Sequence, residues 1–394
     1  MPPDIVPKQR FLGSAENGFM MASQKFKGFT KVGEVLHLQG PHISLEALSA
    51  AINHLQRRHP VLRSRLQINP AKPDSYILDE DKTLQLTIRQ ISRKRDEHMM
   101  FWHQEWRERE KETTIIGQGL AEFWLLQVCK NKHLYLIYNS ICYFILKDPN
   151  DHVDDKAPRE IVVICEHSVC DGLFFSTVAH ELLIALSGSD NDLFANSLSW
   201  PVTMEMAIRR TFSVIGKMKA LCRFILTALY LRATRRSPIA RIPIANVDFS
   251  LVDMADYCHT EICYSMLNKA ETKKLIEKCR GVGVTVTSAV SSAILRAAST
   301  LVNSDESRPT SLHLSMGADT RRRCTPPVPN HDLSYHVSAM MSFIIPTRDM
   351  PTSSEGTWQL ARTLGNHINT CINTGQILAL GMLLGRLSKE LRST

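Results

Sequence analysis

The stretch Glu166-His167-Ser168-Val169-Cys170-Asp171-Gly172 decides how this chain is read. Before it lies an apolar run, Ile161-Val162-Val163-Ile164-Cys165, with the character of a buried strand. After it, residues 173–186 carry an apolar helical pattern. The order strand, His-x-x-x-Asp-Gly, helix puts an imidazole, a carboxylate and a glycine in one tight turn. Histidine titrates near neutral pH and can take a proton from a hydroxyl or an amine. Asp171 is placed to order the ring of His167 or to pair with a distant Arg. Gly172 is placed to take positive φ or to let backbone approach a substrate. Taken alone, His167 reads more readily as a hydrogen-bonded core histidine. A nucleophilic Cys170 lacks a visible second base or orienting group. A metal site made of His167, Asp171 and another His is equally weak.

Upstream, Ser44 is an expected N-cap, and Leu45, Leu48, Ala51, Ile52 and Leu55 recur at helical spacing. Arg57-Arg58-His59 falls in the last turn, where positive charge suits the helix dipole, and Pro60 ends the helix. Val61-Leu62-Arg63-Ser64-Arg65-Leu66 then reads as a strand. Residues 96–111 predict a charged surface helix, and 122–129 and 133–146 predict strands. The acidic stretch 147–156 lacks EF-hand spacing and reads as a solvated loop rather than a calcium site.

Downstream, helices are expected over 265–278, 287–301, 358–374 and 377–391, with Thr287 as an N-cap. Strands are expected over 312–316 and 335–346. The glycines Gly281 and Gly283 match neither a GxGxxG nor a P-loop pattern and read as a turn. This mixture of strands and helices leaves parallel and antiparallel pairing open.

The chain has 394 residues, too many for one ordinary core, so two domains are expected. Its formal charge of +8 suits an acidic ligand or an anionic membrane surface. Nucleic acid is not expected, because zinc-finger spacing, RNP-type aromatics and a long basic tail are all missing. The ten Cys are irregularly spaced and read as buried free thiols of a reducing compartment, and Cys129, Cys165 and Cys222 lie in apolar runs. The N-terminus has no apolar core of a signal peptide, so a cytoplasmic protein is expected. Residues 211–236 are apolar but interrupted by Lys217, Lys219 and Arg223, with Arg232, Arg235 and Arg236 at the end. They fit a helix packed between domains, a basic amphipathic helix in peripheral contact with a membrane, or, least well, a span.

Glu166 to Gly172 resembles the His-His-x-x-x-Asp-Gly motif of the chloramphenicol-acetyltransferase-like superfamily. That group includes condensation domains, plant BAHD acyltransferases, alcohol O-acetyltransferases and polyketide-associated acyltransferases. Leu45 to Leu66, with Gln56-Arg57-Arg58-His59-Pro60-Val61-Leu62-Arg63-Ser64-Arg65-Leu66, is similar to the first helix and the following strand of these enzymes. Val284-Thr285-Val286-Thr287-Ser288-Ala289-Val290 resembles a helix entry in their second domain, and Met316-Gly317-Ala318-Asp319-Thr320-Arg321-Arg322-Arg323 resembles the strand-end Asp-x-Arg segment after it. The resemblance spans roughly residues 10–375 and implies an α/β fold of two similar subdomains with a substrate tunnel between them. It divides the chain into an N-terminal subdomain over 1–195, a basic connection over 196–246 and a C-terminal subdomain over 247–394.

The same resemblance implies an acyltransferase that moves an acyl group from acyl-CoA to a hydroxyl acceptor. His167 would be the general base, supported by Asp171 and Gly172. Arg321 would be a salt-bridge partner of Asp171 or a contact for coenzyme A, although Arg321-Arg322-Arg323 also reads as a solvated basic turn. Neither a metal nor a tightly bound cofactor is implied. The partners expected are acyl-CoA and a small-molecule alcohol, and the protein is expected to be a monomer.

Three departures qualify this. Glu166 stands where the family has its leading His, and a carboxylate in the same cleft would raise the pKa of His167. Residues 131–158 read as an insertion. The Asp-Phe-Gly-Trp-Gly segment usual in the family is not found, which reads as an incomplete second subdomain. Two alternatives therefore stand beside the O-acyltransferase: a degenerate member that binds an acyl or lipid ligand or a partner, and a stand-alone amide-forming condensation enzyme.

Overall fold

The computed structural model describes residues 9–26, 30–93, 102–128, 159–188, 192–213, 260–263, 265–302 and 310–382, with scattered positions between 215 and 229. Outside the described residues lie the expected strand over 133–146, the acidic loop over 147–156, the insertion over 131–158, and Arg232, Arg235 and Arg236. The segment 383–394, with most of the helix expected over 377–391, also lies outside them. The described residues form two compact units. One takes in those through Thr203 together with Pro329–Tyr335, and the other takes in those from Met204 to Val328 and from His336 onward.

The first unit is built on a four-stranded sheet. Its order is β2 (Lys31–Leu38), β7 (Arg159–Glu166), β6 (Ala121–Val128), β5 (Thr87–Arg93). β7 is antiparallel to both neighbours, whereas β5 and β6 run parallel. All eight residues of β7 are buried, as its apolar run requires of a central strand. A second sheet, ordered β1 (Gln9–Phe11), β4 (Tyr76–Glu80), β3 (Ser64–Ile68), is antiparallel throughout.

Four helices belong to this unit: α1 (Ser14–Lys25), α2 (Leu45–Arg58), α3 (Trp102–Arg109) and α4 (Gly172–Ser187). α2 forms as its sequence dictates. Ser44 Oγ accepts from the Ala47 amide, and Leu48, Ala51, Ile52 and Leu55 are buried against the core with Phe174, Val178 and Leu182 of α4. Each Leu or Ile among them contributes about 1.5–3 kcal/mol of burial.

The strand expected over 61–66 starts later. Pro60–Arg63 is a turn of 3-10 helix, and β3 begins at Ser64. The cause is Arg63, whose guanidinium donates back to the carbonyls of Gln56 and Arg57, to Glu80 and to Ser197. Those bonds need the chain coiled against the end of α2.

The second unit carries α5 (Met204–Thr211), α6 (Lys269–Val282), α7 (Val286–Leu301) and α8 (Ser354–Asn373). Two antiparallel pairs accompany them, β8 (Ser311–Leu314) with β11 (Phe343–Pro346) and β9 (Gly317–Asp319) with β10 (Val337–Ala339). The strand expected over 312–316 thus ends at Leu314, and the one expected over 335–346 is divided between β10 and β11. Gly283 ends α6 in the left-handed conformation, φ 72°. Thr285 rather than Thr287 caps α7, its side chain accepting from the Ser288 amide. A small core of Leu295, Leu312, Leu360 and Leu364 joins α7, β8 and α8. Among the described residues no single helix is long and apolar enough to cross a membrane.

Candidate active site

The turn begins where β7 leaves the sheet. The His167 amide donates to the Thr30 carbonyl at 2.9 Å, extending the β2–β7 ladder by one bond. The His167 ring then folds over its own turn, with Nδ1 2.9 Å from the Cys170 carbonyl oxygen. A carbonyl oxygen only accepts, so Nδ1 carries the hydrogen and neutral His167 keeps its lone pair on Nε2.

Two aromatic rings hold the imidazole. Phe19 lies 4.9 Å from it, tilted by 36°, and Tyr335 meets it edge-on at 5.4 Å. Phe19 and Tyr335 also touch each other, at 5.0 Å. Tyr335 is brought there by a segment that belongs to the first unit despite its late place in the chain. Thr177 Oγ1 of α4 donates to the Asn330 carbonyl, and Ser334 Oγ donates to the Val202 carbonyl. Neither Phe19 nor Tyr335 carries a signal in the sequence that marks it for this site.

Asp171 caps α4. Its Oδ1 accepts from the amides of Leu173 at 3.1 Å and Phe174 at 3.0 Å, and the residue is buried. Gly172 does not take positive φ. It is the first residue of α4, in helical backbone, and a Cβ built there would have no protein atom within 4 Å. The glycine leaves room where a side chain would protrude.

Cys170 is unsuited to be a nucleophile. Its thiol is fully buried and donates to the Glu166 carbonyl at 3.0 Å. Burial first, and then Cys165, push its pKa well above the ordinary thiol value, so the thiolate is suppressed. The described cysteines are free thiols, and Cys165, Cys170, Cys279, Cys324 and Cys371 are buried as expected. Cys222 is exposed, contrary to the expectation that it sits in a core.

The carboxylate of Glu166 is held elsewhere than on His167. It accepts from Thr114 Oγ1, lies 3.5 Å from Thr30 Oγ1 and forms an ion pair with Lys31 Nζ at 3.4 Å. Lys31 is its direct cross-strand partner on β2. Both are buried, and Lys31 also donates to the Glu112 carbonyl. Burial lowers the pKa of Lys31 while Glu166 opposes the shift. Glu166 borders a polar cavity of about 360 Å³ whose charged lining includes Arg89, Arg109, Glu112 and Glu122. Arg109 is itself paired with Glu122 at 2.7 Å.

The segment Arg57 to Arg63 holds the structure from a distance. His59 Nε2 and Glu181 lie 2.7 Å apart, and Arg58 donates to the same carboxylate at 3.1 Å. This trio joins the end of α2 to the middle of α4, the helix that follows the turn.

Arg321 lies in the second unit. It is only 1% exposed, so it is not part of a solvated turn, and its guanidinium pairs with Asp319 at 3.1 Å. Its neighbour Arg322 is exposed.

Residues 259–385 match the family described as phthiocerol/phthiodiolone dimycocerosyl transferase C-terminus. No curated protein sequence matches the chain significantly. Among solved structures, the trichothecene 15-O-acetyltransferase TRI3 from Fusarium sporotrichioides superposes with a TM-score of 0.67 at 11% identity. That match covers 98% of this chain and 77% of the acetyltransferase. Polyketide synthase associated protein 5 from Mycobacterium tuberculosis matches with a TM-score of 0.60 at 16% identity, over 95% of this chain and 76% of that one. The first condensation domain of the CDA synthetase matches at 0.64 and 14%, over 94% of this chain and 76% of that domain.

The fold is that of the chloramphenicol-acetyltransferase-like superfamily. His167 stands at the end of the central strand β7, just before the capped helix α4. The residue before it, Glu166, is held in a buried ion pair with Lys31.

Proposed function

We propose that the protein is an acyltransferase that moves an acyl group from a thioester, acyl-CoA, to a hydroxyl acceptor, with His167 as general base. The observation that carries this reading is the hydrogen bond from Nδ1 of His167 to the Cys170 carbonyl, which leaves the Nε2 lone pair for a proton. In the reaction, Nε2 takes the acceptor's hydroxyl proton as the oxygen attacks the thioester carbonyl. The tetrahedral intermediate then collapses, the carbon–sulfur bond breaks, and the leaving thiolate recovers the proton from Nε2. Ester and free thiol are the products.

Asp171 acts as a positioning residue that fixes the start of α4 behind the imidazole. Gly172 leaves open space at the first position of α4. The match of residues 259–385 to a transferase family and the likeness to an O-acetyltransferase support acyl transfer as the class of reaction.

The test is thiol release from acyl-CoA, with and without added alcohols, by the wild-type chain and by His167→Gln. Gln retains a donor for the Cys170 carbonyl but cannot take up a proton, so it separates folding from chemistry. Alcohol-dependent thiol release that falls about 10²–10⁴-fold in the variant supports the proposal. Equal release by both proteins overturns it.

A further inference from the structure

Between 215 and 229, the described positions Ile215, Met218, Cys222, Ile225, Leu226 and Leu229 are helical and exposed. The five apolar residues other than Cys222 are 69%, 57%, 47%, 66% and 58% exposed in that order, so this face is not packed as a core helix would be. At about 100° per residue, all six fall within an arc of about 100°, one continuous aliphatic stripe. Lys219 is exposed at its edge, and Arg209 and Arg210 stand exposed at the end of α5 just before it.

The charge of the surrounding sequence is one-sided. Nine Lys and Arg, and not one Asp or Glu, lie between Glu205 and Asp248. Because the whole chain carries +8, the remainder has a formal charge of −1. The entire positive surplus is accounted for by the stretch of sequence that contains the stripe.

We propose that this stripe docks the protein on an anionic lipid bilayer. A helix with an aliphatic face and basic flanks lies in the headgroup region, its apolar side chains among the acyl chains and its cations at the acidic headgroups. Charge complementarity selects this occupant. In a symmetric pair the exposed Arg209, Arg210 and Lys219 of one copy would add to the same charges on the other, which opposes a second copy of the chain. The described face also offers no hydrogen-bonding carboxamide or aromatic anchor of the kind that dominates protein interfaces. The proposal does not depend on the acyltransfer reading, because a membrane-docked protein could bind or modify its ligand by any chemistry.

Flotation of the full chain with phosphatidylcholine vesicles, with and without phosphatidylserine, tests it. The wild-type chain floats with the phosphatidylserine-containing vesicles, and its partition falls steeply as salt is added. Leu226→Glu lowers that partition about tenfold or more, and Lys219→Glu lowers it by several-fold, with unchanged melting temperatures because both side chains are exposed. Wild-type chain that stays in the soluble fraction, or floats equally with uncharged vesicles, overturns the proposal without any variant. So does a Leu226→Glu chain that binds vesicles as wild type does, or one whose only change is the loss of a dimer in sedimentation.

Discussion

Nδ1 of His167 donates to the carbonyl oxygen of Cys170, three residues on in the same turn. The imidazole is therefore oriented by its own loop rather than by a carboxylate partner. ¹⁵N NMR of the neutral protein should show His167 with a protonated Nδ1 and an unprotonated Nε2. The opposite tautomer would remove the base from the site.

The hydrogen bond also explains what the neighbouring thiol does. Cys170 is buried and its thiolate suppressed, so Cys170→Ala should keep turnover within a few-fold of wild type. Under native conditions iodoacetamide should modify exposed Cys222 and Cys263 long before Cys170, read by mass spectrometry. Rapid labelling of Cys170 that stops turnover would make the thiol, not the imidazole, the reactive group.

Asp171→Ala removes the acceptor for two amides at the start of α4. The expected cost is about 1 kcal/mol or somewhat more, since cap losses run to about 2 kcal/mol. Asp171→Asn keeps a capping oxygen and should recover most of that stability in urea denaturation. If Ala and Asn were equally stable, the cap would not be what the carboxylate contributes.

Glu166→Ala leaves Lys31 buried without its partner, which costs about 3–5 kcal/mol by the usual behaviour of broken buried pairs. Lys31→Met combined with Glu166→Leu removes both charges and should be much closer to wild-type stability. A double-mutant cycle reads the coupling. Additive losses would mean that the two side chains do not sense each other.

The His59–Glu181–Arg58 trio gives the fold a pH dependence. Burial lowers the pKa of His59 below its ordinary value of 6.5, although Glu181 opposes the shift. Glu181 is pushed up by burial, but His59 and Arg58 outweigh this and bring it below its ordinary 4.5. Both groups bind protons less readily when folded, so both contribute stability that is present above their unfolded values and lost as pH falls. Acidification from pH 7 through 6.5 should lower the melting temperature first through His59, then below 4.5 through Glu181. His59→Gln should flatten the first part of that fall. An unchanged slope would show that His59 binds protons equally in the folded and unfolded states.

What the sequence disclosed was local. The strand, the turn and α4 are contiguous, so the order of residues from Ile161 to Leu186 was enough to place His167 and Asp171 correctly. The N-cap at Ser44 and the buried face of α2 were legible for the same reason. The aromatic clamp was not, because Phe19 and Tyr335 reach His167 only through tertiary packing of α1 and of the 329–335 segment. Arg63 misled the strand reading because alternation ignores where a guanidinium finds its carbonyls. Glu166 looked like a charge in the cleft of His167. Successive residues leaving a strand face opposite sides, and its carboxylate went to Lys31 instead.

The central claim is that Nε2 of His167 accepts the proton of the acceptor during acyl transfer. The most direct measurement follows a labelled acyl group from acyl-CoA into ester, in a single turnover, by wild type and by His167→Gln of matched stability. The account predicts labelled ester from wild type and about 10²–10⁴-fold slower formation from the variant. Ester formed at the same rate by both proteins would contradict it.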